Sequence, residues 1–167
     1  EVPSRGLGDV YKRQVKTGLF PNGSGVVIKK GLIVTNFHVI SDAFNQNQEL
    51  IVENHLGKTV KTQILGFDSE ADIAVLGIID SIDLKPFKIR KNIDQVKVGE
   101  SVIAIGNPQG LGQSFSKGIV SAINRTFQDK KGNFIQTDAS INPGNSGGAL
   151  IDDKGRLLGV VNVIRST

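Results

Sequence analysis

The chain has 167 residues, a net charge of +4 from 20 basic and 16 acidic side chains, and no Cys, Met or Trp. Without Cys there are no disulfides, thiolate metal sites or cysteine nucleophiles, and two histidines far apart in sequence form no zinc cluster; neither a metal nor a cofactor is expected. Scattered basic residues with one Tyr and eight Phe lack the concentrated positive face of a nucleic-acid binder, and no apolar run approaches the roughly 18 residues of a membrane helix.

The opening EVPSRGLGDVYKRQ, residues 1–14, fits nothing that follows and is read as a non-native or disordered segment outside the fold. A chain without Met does not begin at its own initiator and is expected to be processed or partial, and no signal peptide is visible. From there, short β-type runs recur: GVVI (25–28), LIVTN (32–36), ELIVEN (49–54), TVKTQILGF (59–67) and DIAVLGII (72–79). After a polar stretch, DSIDLKPFKIRKNIDQVKVG (80–99), come SVIAIG (101–106), SFSKGIVSAI (114–123), FIQT (134–137), GALI (148–151) and LLGVVNVI (157–164). TVKTQIL alternates apolar and polar residues, the period of a half-buried strand. The sequences PNGSG, KKG, NHLGK, NPQGLG, DKKGN and DDKG mark turns, and one short helix is expected at HVISDAF. Evenly spaced strands with little helix predict an all-β barrel or sandwich, with 80–99 connecting two halves.

Three sites carry chemistry. His38 follows a buried-looking strand and opens the expected helix, whereas His55 sits in the polar turn ENHLGK and reads as a solvated loop residue. Asp72 leads directly into the apolar run IAVLGII, where a carboxylate has to be hydrogen-bonded or paired; it reads either as a strand-entry cap or as an acid that orients a histidine. Asp68, in GFDSE, is its solvated competitor. In TDASINPGNSGGAL (137–150), Ser146 stands among Gly144, Gly147 and Gly148. Such a run could merely connect two strands. It also suits a nucleophile on a sharp turn, because glycines let the Gly144 and Ser146 N–H groups converge on one point where negative charge develops. The order His, Asp, Ser is the chymotrypsin-type order.

TNFHVI, DIAVL, IGNPQGLGQSFSKGIVSAINR and IQTDASINPGNSGGAL together resemble the HtrA/Deg branch of the trypsin-like serine proteases, over roughly residues 20–164. The resemblance implies two perpendicular, antiparallel six-stranded β-barrels: residues 15–167 form the protease domain, with 15–80 the first barrel, 81–99 the connection and 100–167 a second barrel short of its terminal strand. It implies His38 as general base, Asp72 as the carboxylate holding its tautomer, Ser146 as nucleophile, and an oxyanion hole from the Gly144 and Ser146 N–H groups. Ile141, Asn142, Pro143 and Asn145 fall in the loop whose rearrangement controls activity in the family, and uncharged Asn145 cannot pair with a newly cut N-terminal amine. Ser140 replaces the acid that selects Lys or Arg, and Asp138 is out of register; Ser140, Ile141, Asn162 and Ile164 are therefore expected to border a pocket for small or medium aliphatic side chains. The function so implied is a periplasmic or envelope endopeptidase of protein quality control that degrades unfolded polypeptides, as a homotrimer or larger oligomer with possible PDZ domains beyond residue 167. The alternatives are a chaperone-like peptide-binding module and a narrow processing protease of the same fold, and this piece of the chain is not necessarily active alone.

Overall fold

The computed structural model describes residues 10–15, 23–54, 56–80, 84–107, 113–127, 130–142 and 144–163. Chain order within these is β1 (Val10–Val15), β2 (Ser24–Lys29), β3 (Leu32–Thr35), α1 (Phe37–Asn45), β4 (Leu50–Glu53), β5 (Thr59–Asp68), β6 (Ile73–Ile78), β7 (Ser101–Gly106), β8 (Ser114–Phe127), β9 (Lys130–Thr137), β10 (Ala149–Asp152) and β11 (Leu157–Val160). The first six strands close into a barrel in the order β1-β2-β3-β6-β5-β4, and the other five form a sheet in the order β11-β10-β7-β8-β9. All their pairings are antiparallel. The architecture is the mostly-β, two-sheet arrangement expected. Among the described residues no helix is long and apolar enough to cross a membrane.

Side-chain alternation explains which strands carry the assembly. β5 turns alternate residues inward, burying Val60 and Thr62 and packing the half-buried Ile64 on the same core. β2, β7 and β10 are covered on both faces, so their sequences read as near-continuous apolar runs. Val27 of β2 points into the barrel with Ile33, Val52 and Leu76. Its neighbour Val26 points the other way and packs with Phe87, Ile105, Ala149, Ile151 and Leu157. Val102 and Ala104 of β7 and Leu150 of β10 fill a third cluster within the second sheet. The Val26–Ile105 cluster is thus the apolar joint between the halves.

The polar connection is bound down along its length. Phe87 N–H donates to Val27 O at 3.0 Å, and Lys88 and Arg90 bond on either side of Leu157 at 2.7 and 3.0 Å. Leu84 enters the barrel core, and Val96 enters the core of the second sheet. Arg90 meets Glu100 at 2.6 Å and Asp152 at 3.7 Å. The Arg90 hydrogen bond, followed by the Lys97 N–H, holds the Glu100 carboxyl below the ordinary carboxylate range.

Three expectations need correction. Residues 10–14, read as outside the fold, belong to β1, which bonds to β2 on one side and β4 on the other, with Val10 opposite Val26 and Arg13 opposite Val52. Its backbone groups, rather than an apolar sequence, secure that place. In DKKGN, Lys130–Asn133 already belong to β9, because the β8–β9 ladder continues to Phe127 and Lys130. LLGVVNVI leaves the sheet at Val160, since Val161 N–H bonds to Gly148 O and Val163 N–H bonds to Ser146 Oγ.

Two measurements test this account. Ile105→Ala should destabilise the protein by about 2–5 kcal/mol in urea unfolding, the cost of a cavity at a fully buried joint. Glu100→Gln should lower the melting temperature at pH 7. Because the folded pKa of Glu100 is depressed, its contribution is present above the unfolded value of about 4.3 and is lost as the pH falls through the folded one, so the deficit should shrink below about pH 4.3.

Candidate active site

His38 is the second residue of α1, directly after the strand β3 and Asn36. Helix starts leave N–H groups without intrahelical partners. Asn36, at the cap position, makes no side-chain cap bond, and its amide donates instead to Asp72 O at 3.1 Å. The Asp72 carboxylate serves the helix start in its place: Oδ1 accepts His38 N–H at 2.8 Å while Oδ2 lies 2.7 Å from His38 Nδ1. Negative charge is favoured at this end of a helix.

Asp72 is 2% exposed and occupies the left-handed region, with φ 56°, at the turn before β6. Asp tolerates that conformation better than most residues. Asn162 Nδ2 adds a third donor to the carboxylate, 3.0 Å from Oδ2. Asp68 is elsewhere: its exposed Oδ1 accepts the Glu70 and Ala71 N–H groups and closes its own turn. An ionised Asp72 requires the proton on Nδ1 of His38, which leaves Nε2 as the basic nitrogen. The His38 side chain is 46% exposed, so that nitrogen is open to a reactant.

Ser146 lies in the turn that leads into β10, itself 3% exposed. Its Oγ accepts Val163 N–H at 3.3 Å. Among the described residues no hydrogen bond joins Oγ to His38 Nε2. Two adjacent residues link Ser146 to Asp72 instead: Asn162 reaches Asp72 and Val163 reaches Ser146. The neighbouring amides are occupied, Asn145 N–H by Asn142 O, Gly147 N–H by Val161 O and Gly148 N–H by Asn145 O, at 2.8–2.9 Å. Gly144 and Ser146 N–H have no acceptor among the described residues. These are the two amides expected to face a developing oxyanion.

Space requires glycine at two positions, one in this turn and one at the end of β7. Gly147 has φ +83°, and a Cβ there would overlap Ser24 O and Thr35 Oγ1; a Cβ on Gly106 would overlap Asn145. Asn145 is buried, and its Oδ1 accepts from Ser114 Oγ at 3.3 Å.

Of the expected pocket residues, Ile141 packs on the core of the second sheet and Ser140 is exposed. A groove of about 480 Å³ runs beside the site, lined by Ile141, Ile135, Leu158, Val161, Asn162 and Val163 among others. Asn162 was expected only as a wall of this groove, yet its amide is directed at Asp72. Asp138 is exposed, and its Oδ1 accepts the Ile119 N–H at 2.7 Å. Pro143, Ile164 and His55 lie outside the described residues. Ser24 escaped the sequence reading, where PNGSG marks only a turn. It is buried, and its N–H donates to Ser146 O at 2.7 Å while its Oγ donates to Gly144 O at 2.8 Å.

Residues 23–160 match the family model described as a trypsin-like peptidase domain. The chain belongs to the trypsin-like peptidase family. Its relatives are of the HtrA type, as the sequence motifs implied. It is 44% identical over 146 residues to the periplasmic pH-dependent serine endoprotease DegQ of Escherichia coli (strain K12), covering 85% of this chain and 31% of that protein. It is 44% identical over 163 residues to the serine endoprotease DegS of the same organism, covering 95% of this chain and 44% of that protein. Among solved structures, the HtrA-type protease AlgW with decapeptide superimposes with a TM-score of 0.80 at 34% identity, over 95% of this chain and 56% of the other. The chain thus spans less than half the length of these two curated relatives.

Alanine at Gly147 should cost at least the 1–3 kcal/mol of a left-handed non-glycine residue, about, with a further loss from the overlap. Gly31, with φ +79° and nothing within 4 Å of an added Cβ, is the control. Gly147→Ala should therefore lower the unfolding midpoint well beyond Gly31→Ala; equal losses would contradict the packing described.

Proposed function

We propose that this chain is the catalytic domain of a serine endopeptidase in which Ser146 attacks, His38 transfers the proton and Asp72 orients His38. The observation that carries this reading is the double contact of buried Asp72 with His38, which fixes the ring and directs Nε2 outward. For attack, Ser146 Oγ turns from Val163 N–H toward Nε2, an adjustment in keeping with the loose hydrogen bonds of unliganded sites. Nε2 takes the hydroxyl proton as Oγ bonds to the scissile carbonyl carbon. The Gly144 and Ser146 N–H groups receive the carbonyl oxygen as it becomes an oxyanion, and Nε2 then returns the proton to the leaving amine. Water, activated by the same nitrogen, hydrolyses the acyl-enzyme.

The substrate is an extended polypeptide with an aliphatic side chain before the cleaved bond. The groove beside Ser146 is lined by Ile141, Leu158, Val161 and Val163 among others, and Asp138, the nearest acid before Ser146 in sequence, is committed to Ile119. A Lys or Arg in such a groove would be buried without a partner. Unfolded or misfolded proteins are the natural source of such segments. The periplasmic location named for DegQ is carried over with this reading, as are the homotrimer and PDZ domains implied by the family resemblance.

Labelling with a fluorophosphonate probe, with circular dichroism to verify folding, tests the assignment. The folded wild-type chain should label at one site, and both Ser146→Ala and His38→Ala should abolish it. Asp72→Asn should slow it by about 10⁴, the loss seen when the orienting acid of such a triad becomes an amide. Wild-type-rate labelling of folded His38→Ala would remove His38 from the mechanism. With casein unfolded beforehand, cleavage should fall after Val, Ala and similar residues rather than after Lys or Arg.

A further inference from the structure

Ser24 stands at the start of β2, in the first barrel, yet three of its hydrogen bonds reach across to the other half. Its N–H donates to Ser146 O at 2.7 Å. Its Oγ donates to Gly144 O at 2.8 Å and accepts Asn107 N–H at 2.8 Å. Its own carbonyl oxygen accepts from Thr35 Oγ1 at 2.7 Å, which fixes the residue to β3. Ser24 is 2% exposed, so these bonds form away from competing water.

Ser24 holds Gly144 and Ser146, whose N–H groups have no acceptor among the described residues, by their carbonyl oxygens. Gly144 is the weak point of that pair. Without a Cβ it has wide conformational freedom, and its N–H is useful only in one orientation. The Ser24 hydroxyl removes that freedom, and because one hydroxyl both donates and accepts, it ties Gly144 to Asn107 at the head of the NPQGLGQ segment.

We propose that Ser24 is a positioning residue for the oxyanion site: its hydroxyl orients Gly144, and through it the Gly144 N–H, while bridging the nucleophile turn to Asn107. The proposal rests on the reading of Ser146 as nucleophile. Ser24 hydrogen-bonds to neither His38 nor Asp72, so it should alter the stabilisation of the oxyanion and leave the acid–base pair unchanged.

The test uses Ser24→Ala and the nearly isosteric Ser24→Cys, whose thiol is a weak donor. Fluorophosphonate labelling rates are measured across pH, with melting temperature and amide exchange at Asn107 read by NMR. Both variants should label about ten- to hundredfold more slowly, short of the hundred- to thousandfold cost of deleting an oxyanion donor. The pH midpoint of labelling should not move, the folded fraction should be unchanged, and the Asn107 amide should exchange faster. Wild-type rates in the folded variants would overturn the proposal. So would a loss in Ser24→Ala that Ser24→Cys restores, since that would mark packing rather than the hydrogen bond. A wild-type chain that never labels, with faster Asn107 exchange in both variants, would remove the protease reading while upholding the bridge; unchanged exchange would remove the bridge as well.

Discussion

A carboxylate buried to 2% exposure governs this site. Removing Asp72 from water is costly unless donors replace the water, and the fold supplies donors to its carboxylate that include His38 N–H, His38 Nδ1 and Asn162 Nδ2. The first two come from the helix of the barrel and the third from the segment beyond β11. The need to satisfy one charge therefore fixes the start of α1, the rotation of the His38 ring and the course of the chain after Val160. That course delivers Val163 N–H to Ser146 Oγ. Asp72, like Ser24, is a point where polar groups of the two halves meet, in addition to the apolar joint built on Val26 and Ile105.

The alternation of side chains gives the apolar joint its rigidity. Successive residues of β2 point into different cores, Val27 into the barrel and Val26 into the joint. The same holds for Ile105 and Ala104 of β7, and for Ile151 and Leu150 of β10. A strand committed on both faces cannot slip by one residue without exchanging the two sets. Ser24 at the head of β2 and Ala149 at the head of β10 inherit that register, and the turn holding Ser146 lies between them.

Much of this was legible in the sequence where local chemistry determines local structure. The runs GVVI, SVIAIG and GALI mark strands because both faces are covered, TVKTQIL marks one by alternation, and HVISDAF marks the helix. For Asp72 the residues alone left a strand-entry cap and an acid orienting a histidine both open, and it was the family resemblance that implied the contact with His38 seen in the structure. β1 was illegible because VYKRQV carries no apolar pattern and holds its place through main-chain bonds to β2 and β4. The second commitment of Asn162, to Asp72 as well as to the groove, was hidden for another reason: its partner lies 90 residues away. Ser24 was hidden in the same way, with partners 83 and 120 residues distant and nothing but a turn signal around it.

The strand order has a consequence for how the protein is made. All six strands of the closed barrel, and both His38 and Asp72, precede residue 79, whereas the second sheet draws on residues 101–160. Chains emerge from the ribosome N-terminal end first and fold by units. The barrel can therefore complete its ring of main-chain bonds, and seat the imidazole against the carboxylate, while the serine has yet to be synthesised. Asn162 and Val163 come later still, after Ser146. The site can thus assemble in sequence: the His38–Asp72 pair forms first, and Ser146 is brought toward it when the last strand folds back.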